Sequence, residues 1–380
     1  MTKIDRLFFS CEFLTPKDIL DKKAVELLAE TNANLSLKQS YEELKGDDFK
    51  NMLTKFKDLG IEKGFVPWPM LPVEDGYYAN EISVEKFTDL VKKTLDWYCD
   101  NNFEVPFAVL VDLEPPTDPE EVKKAEKVRL EGKKEEKKKG GFDIMAIVGK
   151  LIDNIDENMN EKRFAESARK FSIMQDMIHD YGSQALAVAL PLAYEDIFDG
   201  KLLLQDFMTV PITHEACEWD HINWMIFNTD YVASTKGIIS NEEYRHLIYT
   251  YAKEFIGRWG KERSSITLGI TNVGIQDTRA VQTDPELYKL EASALLAAGM
   301  DSMGIYALDG VLEQSDPKAW INTVMEADSS LFKPDPEKME LIKNARRLFQ
   351  ALDFVMPVAK YLVDSGKIMD IIQAVTKGLF

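Results

Sequence analysis

The chain has 380 residues, 45% hydrophobic and 29% charged, with 46 Lys and Arg against 65 Asp and Glu and a formal net charge of −19. That much apolar material supports a full core and excludes a wholly disordered chain, while the acidic balance excludes a general nucleic-acid surface. Three distant cysteines (Cys11, Cys99, Cys217) without C-x-x-C spacing, and only four histidines, argue against a disulfide framework, a thiolate zinc site or a His-rich centre.

Eight short runs rich in aliphatic, β-branched and aromatic residues recur along the chain: 6–13, 34–39, 64–71, 106–114, 185–191, 223–231, 265–271 and 303–309. Amphipathic stretches lie between them, among them 47–59, 83–101, 241–259 and 286–298. In the second of these, Phe87, Leu90, Val91 and Leu95 recur at three- and four-residue spacing, which predicts a helix with one buried face. Several strand candidates are near-continuous apolar runs, the pattern of parallel strands covered on both sides. Eight strands alternating with helices predict an α/β fold, a (β/α)8 TIM barrel. The phosphate-loop motifs of open doubly wound sheets are missing.

The expected division places barrel strands one to four in residues 1–114 and strands five to eight in 183–334. Residues 115–182 form a helical insertion and 335–380 a helical C-terminal extension. The insertion carries a Lys-rich stretch, Lys123 to Lys139, with nine Lys and Arg against four Glu. Behind it Ile144, Ile147, Val148, Leu151, Ile152 and Ile155 line one side of a helical stretch. The region 123–155 reads as a solvated, locally paired segment or as a peripheral membrane contact. The apolar segment 354–362 packs on its own barrel or joins a homodimer. No apolar run reaches the roughly 18–20 residues of a membrane span, and no leader precedes the first strand. The expected compartment is the reducing cytoplasm.

In such a barrel the active site gathers at the C-terminal strand ends, and here those ends are acidic. Glu12 closes the first run, Asp112 and Glu114 the fourth, Asp230 and Tyr231 the sixth, and Asp309 the eighth; Gln39 and Asn272 add neutral polar groups. Carboxylates crowded at one mouth raise one another's pKa, which makes a general acid usable near neutral pH. The most specific segment is Val111-Asp112-Leu113-Glu114-Pro115-Pro116. Side chains alternate along a strand, so Asp112 and Glu114 share a face, with Glu114 at the tip and Asp112 one step deeper. Sugar sites use aromatic platforms; Trp68, Tyr77 and Tyr78 on and after the third run are the candidates, and the loop before the sixth run adds Trp219.

The D-x-E pair at the end of the fourth strand resembles the chitinase-like glycoside hydrolases, and Asp230-Tyr231 matches the end of that family's M-T-Y-D-Y segment. The resemblance implies Glu114 as general acid and Asp112 as the group orienting a substrate acetamido. It is partial: earlier acids of the family motif fall on Phe107 and Leu110, and the segment's first Tyr falls on Thr229. The expected function is therefore glycoside hydrolysis, with Glu114, Asp112, Asp230 and Tyr231 catalytic. Glu12, Gln39, Trp68, Tyr77, Tyr78, Asn272, Tyr306 and Asp309 bind the substrate, a carbohydrate or other small molecule. No cofactor and no metal are expected. Two rivals remain: a Mg²⁺- or Mn²⁺-assisted barrel enzyme held by the same carboxylates, and a barrel that binds glycans or proteins without turnover.

Overall fold

The computed structural model describes residues 2–116, 160–195, 202–234, 239–272, 281–344 and 346–347. Its eight strands are β1 (Arg6–Cys11), β2 (Asn34–Gln39), β3 (Phe65–Pro69), β4 (Ala108–Leu113), β5 (Gln184–Ala189), β6 (His221–Met225), β7 (Ser264–Gly269) and β8 (Ser302–Tyr306). Their order is β3-β2-β1-β8-β7-β6-β5-β4, and all ladders are parallel. Helices alternate with the strands, so the protein is a (β/α)8 TIM barrel.

The seam between β3 and β4 has a cause in the sequence. Met70 N–H donates to the Gln39 carbonyl at 3.0 Å, so even-numbered residues of β3 turn their backbone groups to β2. Odd-numbered residues therefore face β4, and two of them, Pro67 and Pro69, have no N–H to donate. No ladder forms there. Closure falls instead to the following loop, where Ala79 N–H donates to the Asp112 carbonyl at 2.9 Å.

The two strand faces have different fates. Leu7, Phe9 and Cys11 of β1, Leu35 and Leu37 of β2, and Val109, Val111 and Leu113 of β4 point outward into one core shared with the helices. Each large side chain buried there contributes about 1.5–3 kcal/mol of transfer free energy. The helices are built to match. Asn241–Trp259 begins with a capping box between Ser240 and Glu243 and buries Tyr244, Leu247, Ile248, Tyr251 and Phe255 on one side. The inward face is smaller and more polar: Ser10, Ser36, Asn223, Ser265, Thr267 and Gly304 alternate with Phe8, Val66, Leu110, Leu186 and Met225. Gly304 is required by this packing, since a Cβ there would lie 2.3 Å from Thr267 Oγ1.

Two strand ends differ from expectation. β6 stops at Met225, and Asn228–Ser234 is a helix; Asn, Thr and Asp open it with first-turn chemistry that favours a helix start. β8 stops at Tyr306, and Asp309 sits in the short helix Leu308–Val311. The helix Glu161–Asp180 packs against Val84–Asp100 and β5, and so serves as the covering helix before β5. At the C-terminal side, residues 336–344 are helical. The Lys-rich stretch 123–139, the Ile-rich helix behind it and the segment 354–379 lie outside the described residues. Among the described residues no helix is long and apolar enough to cross a membrane.

Candidate active site

The inward face encloses a cavity of about 140 Å3 that runs from the N-terminal floor of the barrel to its C-terminal mouth. Glu12, Asp112 and Glu114 line the mouth end together with Trp68, Tyr78, Phe227 and Tyr306. Strand alternation explains the convergence. Glu12 continues the inward series Arg6, Phe8, Ser10 of β1, and Asp112 and Glu114 continue Leu110 of β4.

Glu12 is held on both oxygens. Tyr77 OH donates to Oε1 at 2.8 Å, and Tyr306 OH donates to Oε2. Lys38, inward on β2, donates from Nζ to Tyr77 OH at 3.3 Å. Burial raises the Glu12 pKa, while Lys38 and the two phenols oppose that shift. Tyr77 reaches this position from a left-handed backbone conformation (φ 57°) that follows Gly76 (φ 113°). Such a conformation is uncommon for an aromatic residue, and here it turns the phenol inward.

Asp112 is treated in the opposite way. It is 2% exposed, and its Oδ1 is buried without a hydrogen-bond partner. Burial raises its pKa strongly, Glu114 and Glu12 add to the shift, and Trp68 beside it pulls the other way. The carboxyl is therefore kept neutral well above the usual range. Burial and the same three acids push the Tyr78 phenol up as well. Glu114 is half-buried at the rim, and its carbonyl accepts from Asn80 Nδ2 at 3.3 Å.

The floor is a separate polar ladder. His221 Nδ1 lies 3.0 Å from the Glu262 carbonyl and Nε2 lies 2.6 Å from Ser265 Oγ. Asn223 Nδ2 donates to Ser265 Oγ at 2.8 Å, and Thr267 Oγ1 donates to Asn223 Oδ1 at 2.6 Å. Burial pushes the His221 pKa down to about 4, so the imidazole is neutral. Arg6 pairs with Glu262 at 3.2 Å beneath it.

The remaining predicted residues go elsewhere. Gln39 is fully buried and shares the outward parity of Leu35 and Leu37, with neither amide atom hydrogen-bonded. Lys38 takes the inward place that Gln39 was expected to fill. Asp309 accepts the N–H groups of Glu12 at 3.2 Å and Phe13 at 3.0 Å, and so fixes the exit of β1 from behind the site. Asn272 is half-buried and does not line the cavity.

Asp230 and Tyr231 also lie off the cavity, on the helix after β6. Tyr231 feels Glu195 and Arg346, which belong to a second buried cluster. Arg346 Nε donates to Glu195 Oε1 at 2.7 Å and its other nitrogens reach Glu195 Oε2 and Glu254 Oε1 at 3.3 and 2.9 Å. Tyr251 OH donates to Glu195 Oε1 at 2.6 Å, and the guanidinium lies 4.2 Å from the centre of the Tyr251 ring.

Sequence reasoning missed Lys38, Phe227 and the floor ladder. A signal existed for the first: in Asn-Leu-Ser-Leu-Lys-Gln the polar residues at 34, 36 and 38 alternate with apolar ones. Among the described residues no group of three or more His, Cys, Asp or Glu has the geometry to hold a metal ion.

No protein-family model matches the chain, and no curated protein matches it. Solved structures do. An L-ribulose 3-epimerase matches at 10% identity and TM-score 0.44 over 92% of this chain and 98% of its own. A β-glucosidase from Thermotoga maritima in complex with noeuromycin matches at 10% identity and TM-score 0.47 over 82% and 87%. A class V chitinase from Pseudomonas fluorescens Pf-5 matches at 8% identity and TM-score 0.46 over 84% and 99%. These are distant likenesses of shape, and the barrel assignment stands on the strand pairing described above.

Proposed function

We propose that the protein hydrolyses a glycosidic bond in the mouth of the barrel, with Glu114 as general acid. The observation that carries this reading is the convergence of Glu12, Asp112 and Glu114 in one aromatic-walled cavity. Carboxyls in unlike surroundings are what acid and base roles require. Glu114 stands at the rim, where a leaving-group oxygen has access. Asp112 lies on the same face of β4, and burial together with Glu114 and Glu12 pushes its pKa up, which favours its neutral form beside Glu114.

Glu12 is the second acid of the reaction. Two phenolic O–H groups donate to it, and donors of that kind favour the ionised form. A carboxyl across the cavity whose ionised form two phenols and Lys38 support against burial suits a group that meets the developing oxocarbenium charge, as nucleophile or as base for water. Asp230 and Asp309 are less suited to this part, because neither lines the cavity. Trp68, Tyr78 and Tyr306 supply ring faces for the C–H surface of a sugar.

The test is Glu114→Gln, assayed by release of reducing ends from a panel of glycans. The variant keeps the fold and loses about 10²–10⁴ of the rate, the usual share of a general acid. An undiminished rate in the variant removes the assignment.

A further inference from the structure

Resting on the reading above, we propose that Asp309 is a positioning residue of the same site: from behind β1 it fixes where Glu12 stands and sets the charge at its back.

The contact is made to the main chain. Asp309 Oδ2 accepts the Glu12 N–H at 3.2 Å, and Oδ1 accepts the Phe13 N–H at 3.0 Å. β1 ends at Cys11, and its ladders to β2 and β8 reach no further than Cys11 and Ser10. Asp309 therefore takes up the chain where strand pairing stops. The same stretch also holds the side chain, since Tyr306 OH donates to Glu12 Oε2. Glu12 is thus gripped at its N–H and at its carboxyl by one segment, Tyr306 to Asp309.

That segment is itself anchored. Thr271 N–H donates to the Tyr306 carbonyl at 2.9 Å, and Ala307 N–H donates to Thr271 Oγ1 at 2.9 Å. Gly310 packs so closely on Thr271 that a Cβ there would lie 2.3 Å from its carbonyl oxygen. Leu308 and Val311 on either side are fully buried. A line of fixed contacts runs from the end of β7 through the end of β8 to Glu12. Support of this kind is what holds a reacting group in productive geometry.

The charge acts in the same direction as the placement, through Glu12. Asp309 is 3% exposed and faces donors: the N–H groups of Glu12, Phe13 and Asp309 itself, and the Cys11 thiol. Burial pushes its pKa up, and these donors oppose the push because they favour the ionised form. Burial and then Asp309 push the Cys11 thiol well up, so it stays a donor. For Glu12, burial is the largest upward push, and the charge of Asp309 adds to it. Lys38 of β2, Tyr306 of β8 and Tyr77 of the loop after β3 pull the other way. Asp112 and Glu114 of β4 share the cavity with it. Loss of the Asp309 charge therefore lowers the Glu12 pKa, whereas loss of a phenol raises it.

The experiment compares Asp309→Asn, which removes the charge and keeps the shape, with Asp309→Glu, which keeps the charge and lengthens the arm. The main readout is a carbon-13 NMR titration of the glutamate carboxyls in the full chain, where the Glu12 signal is the one missing from Glu12→Gln. The expected midpoint of Glu12 falls by about one pH unit in Asp309→Asn and stays near the wild type in Asp309→Glu. On a glycan that the wild type cleaves, kcat falls about tenfold in Asp309→Glu, with KM changed by less than about twofold. A midpoint that is unchanged or raised in Asp309→Asn overturns the inference, and so does an unaltered kcat in Asp309→Glu. Where Asp309→Asn does not fold, Asp309→Thr, which also removes the charge and keeps an acceptor oxygen, is read against the same outcomes. The titration needs no turnover. Absence of cleavage by the wild type overturns the hydrolase reading, and the midpoints still decide whether Asp309 governs Glu12.

Discussion

Two clusters of buried carboxylates lie near the C-terminal end of the barrel, and they are resolved in opposite ways. Around Arg346, Glu195 receives the guanidinium and a phenol, and Glu254 receives a second nitrogen of the same guanidinium. Every partner comes from the chain itself. In the cavity, Glu12 has two phenols, Asp112 has a buried oxygen with no hydrogen bond, and Glu114 is half-buried at the rim. The first arrangement is organised around one guanidinium and serves structure: it ties the helical residues after 335 to the short helix Leu192–Glu195 after β5 and to the helix before β7. The second is organised around a cavity that three acids line together. A buried acid is therefore not itself a mark of function; acids that converge on one cavity are the better candidates.

The sharpest way to break this contrast is to remove one partner from each cluster. Arg346→Ala leaves Glu195 buried without its guanidinium, with the Tyr251 hydroxyl still donating to it, and is expected to lower unfolding free energy by about 3–5 kcal/mol. Asp112→Asn replaces a carboxyl whose neutral form burial favours by a neutral amide of the same shape, and is expected to shift stability by less than about 1 kcal/mol. Urea unfolding of both variants checks the pair. A large loss for Asp112→Asn, or none for Arg346→Ala, reverses the assignment of the two clusters.

Glu291 supplies an intermediate case. It is buried on the helix Pro285–Ala298, accepts from Asn228 at 2.9 Å and Gln282 at 3.1 Å, and has an Oε2 without a partner. Burial raises its pKa to about 8. It resembles Asp112 in having one buried oxygen without a hydrogen bond but differs in not lining the cavity. The sign of its pH effect follows from linkage. Between the ordinary Glu value and about 8 the native state holds a proton that the unfolded chain has lost, so this group's contribution to stability falls as pH rises through that window. The expected loss is on the order of a few kcal/mol, fully expressed only above the folded pKa. Denaturation series at several pH values should show this slope in the wild type and a flatter one in Glu291→Gln. Equal slopes mean that the carboxyl titrates normally.

What the sequence disclosed and what it hid follow from the range of the interactions concerned. The barrel was legible because doubly covered strands write themselves as apolar runs. The pairing of Asp112 with Glu114 was legible because alternation is a local rule. Gln39 was misplaced although the same rule was available: Leu35 and Leu37 already marked its parity as outward. The ends of β6 and β8 were hidden by aromatic and β-branched residues, Phe227, Thr229 and Tyr231, that suit a strand locally. The ladder ends nearby nonetheless, where Ile226 N–H meets the Thr267 carbonyl at 3.1 Å. No local pattern marks Arg346. A single arginine in a charged helix becomes a buried anchor only through Glu195, 151 positions away.

The most specific expected effect lies within the cavity and is a shift in pH dependence rather than a loss of fold. Tyr77→Phe removes one hydroxyl that donates to Glu12 Oε1 at 2.8 Å and accepts from Lys38 at 3.3 Å. The ring stays, so packing against Tyr78, 4.9 Å away edge to face, is kept. The stability cost is that of one hydrogen bond to a charged acceptor, about 1.5–3 kcal/mol at most, and less where the left-handed backbone at Tyr77 relaxes. The effect on Glu12 is more specific. With one donor gone and Lys38 no longer linked to it, the ionised form loses support, and the pKa of Glu12 is expected to rise further. The acidic limb of the rate profile then shifts toward higher pH in Tyr77→Phe, while Lys38→Met shifts it the same way by less, since Lys38 acts through the phenol. Profiles of kcat/KM for the two variants beside the wild type check this order. If neither variant moves the acidic limb, Glu12 is not the second acid of the reaction, and the carboxylates of the cavity serve binding alone.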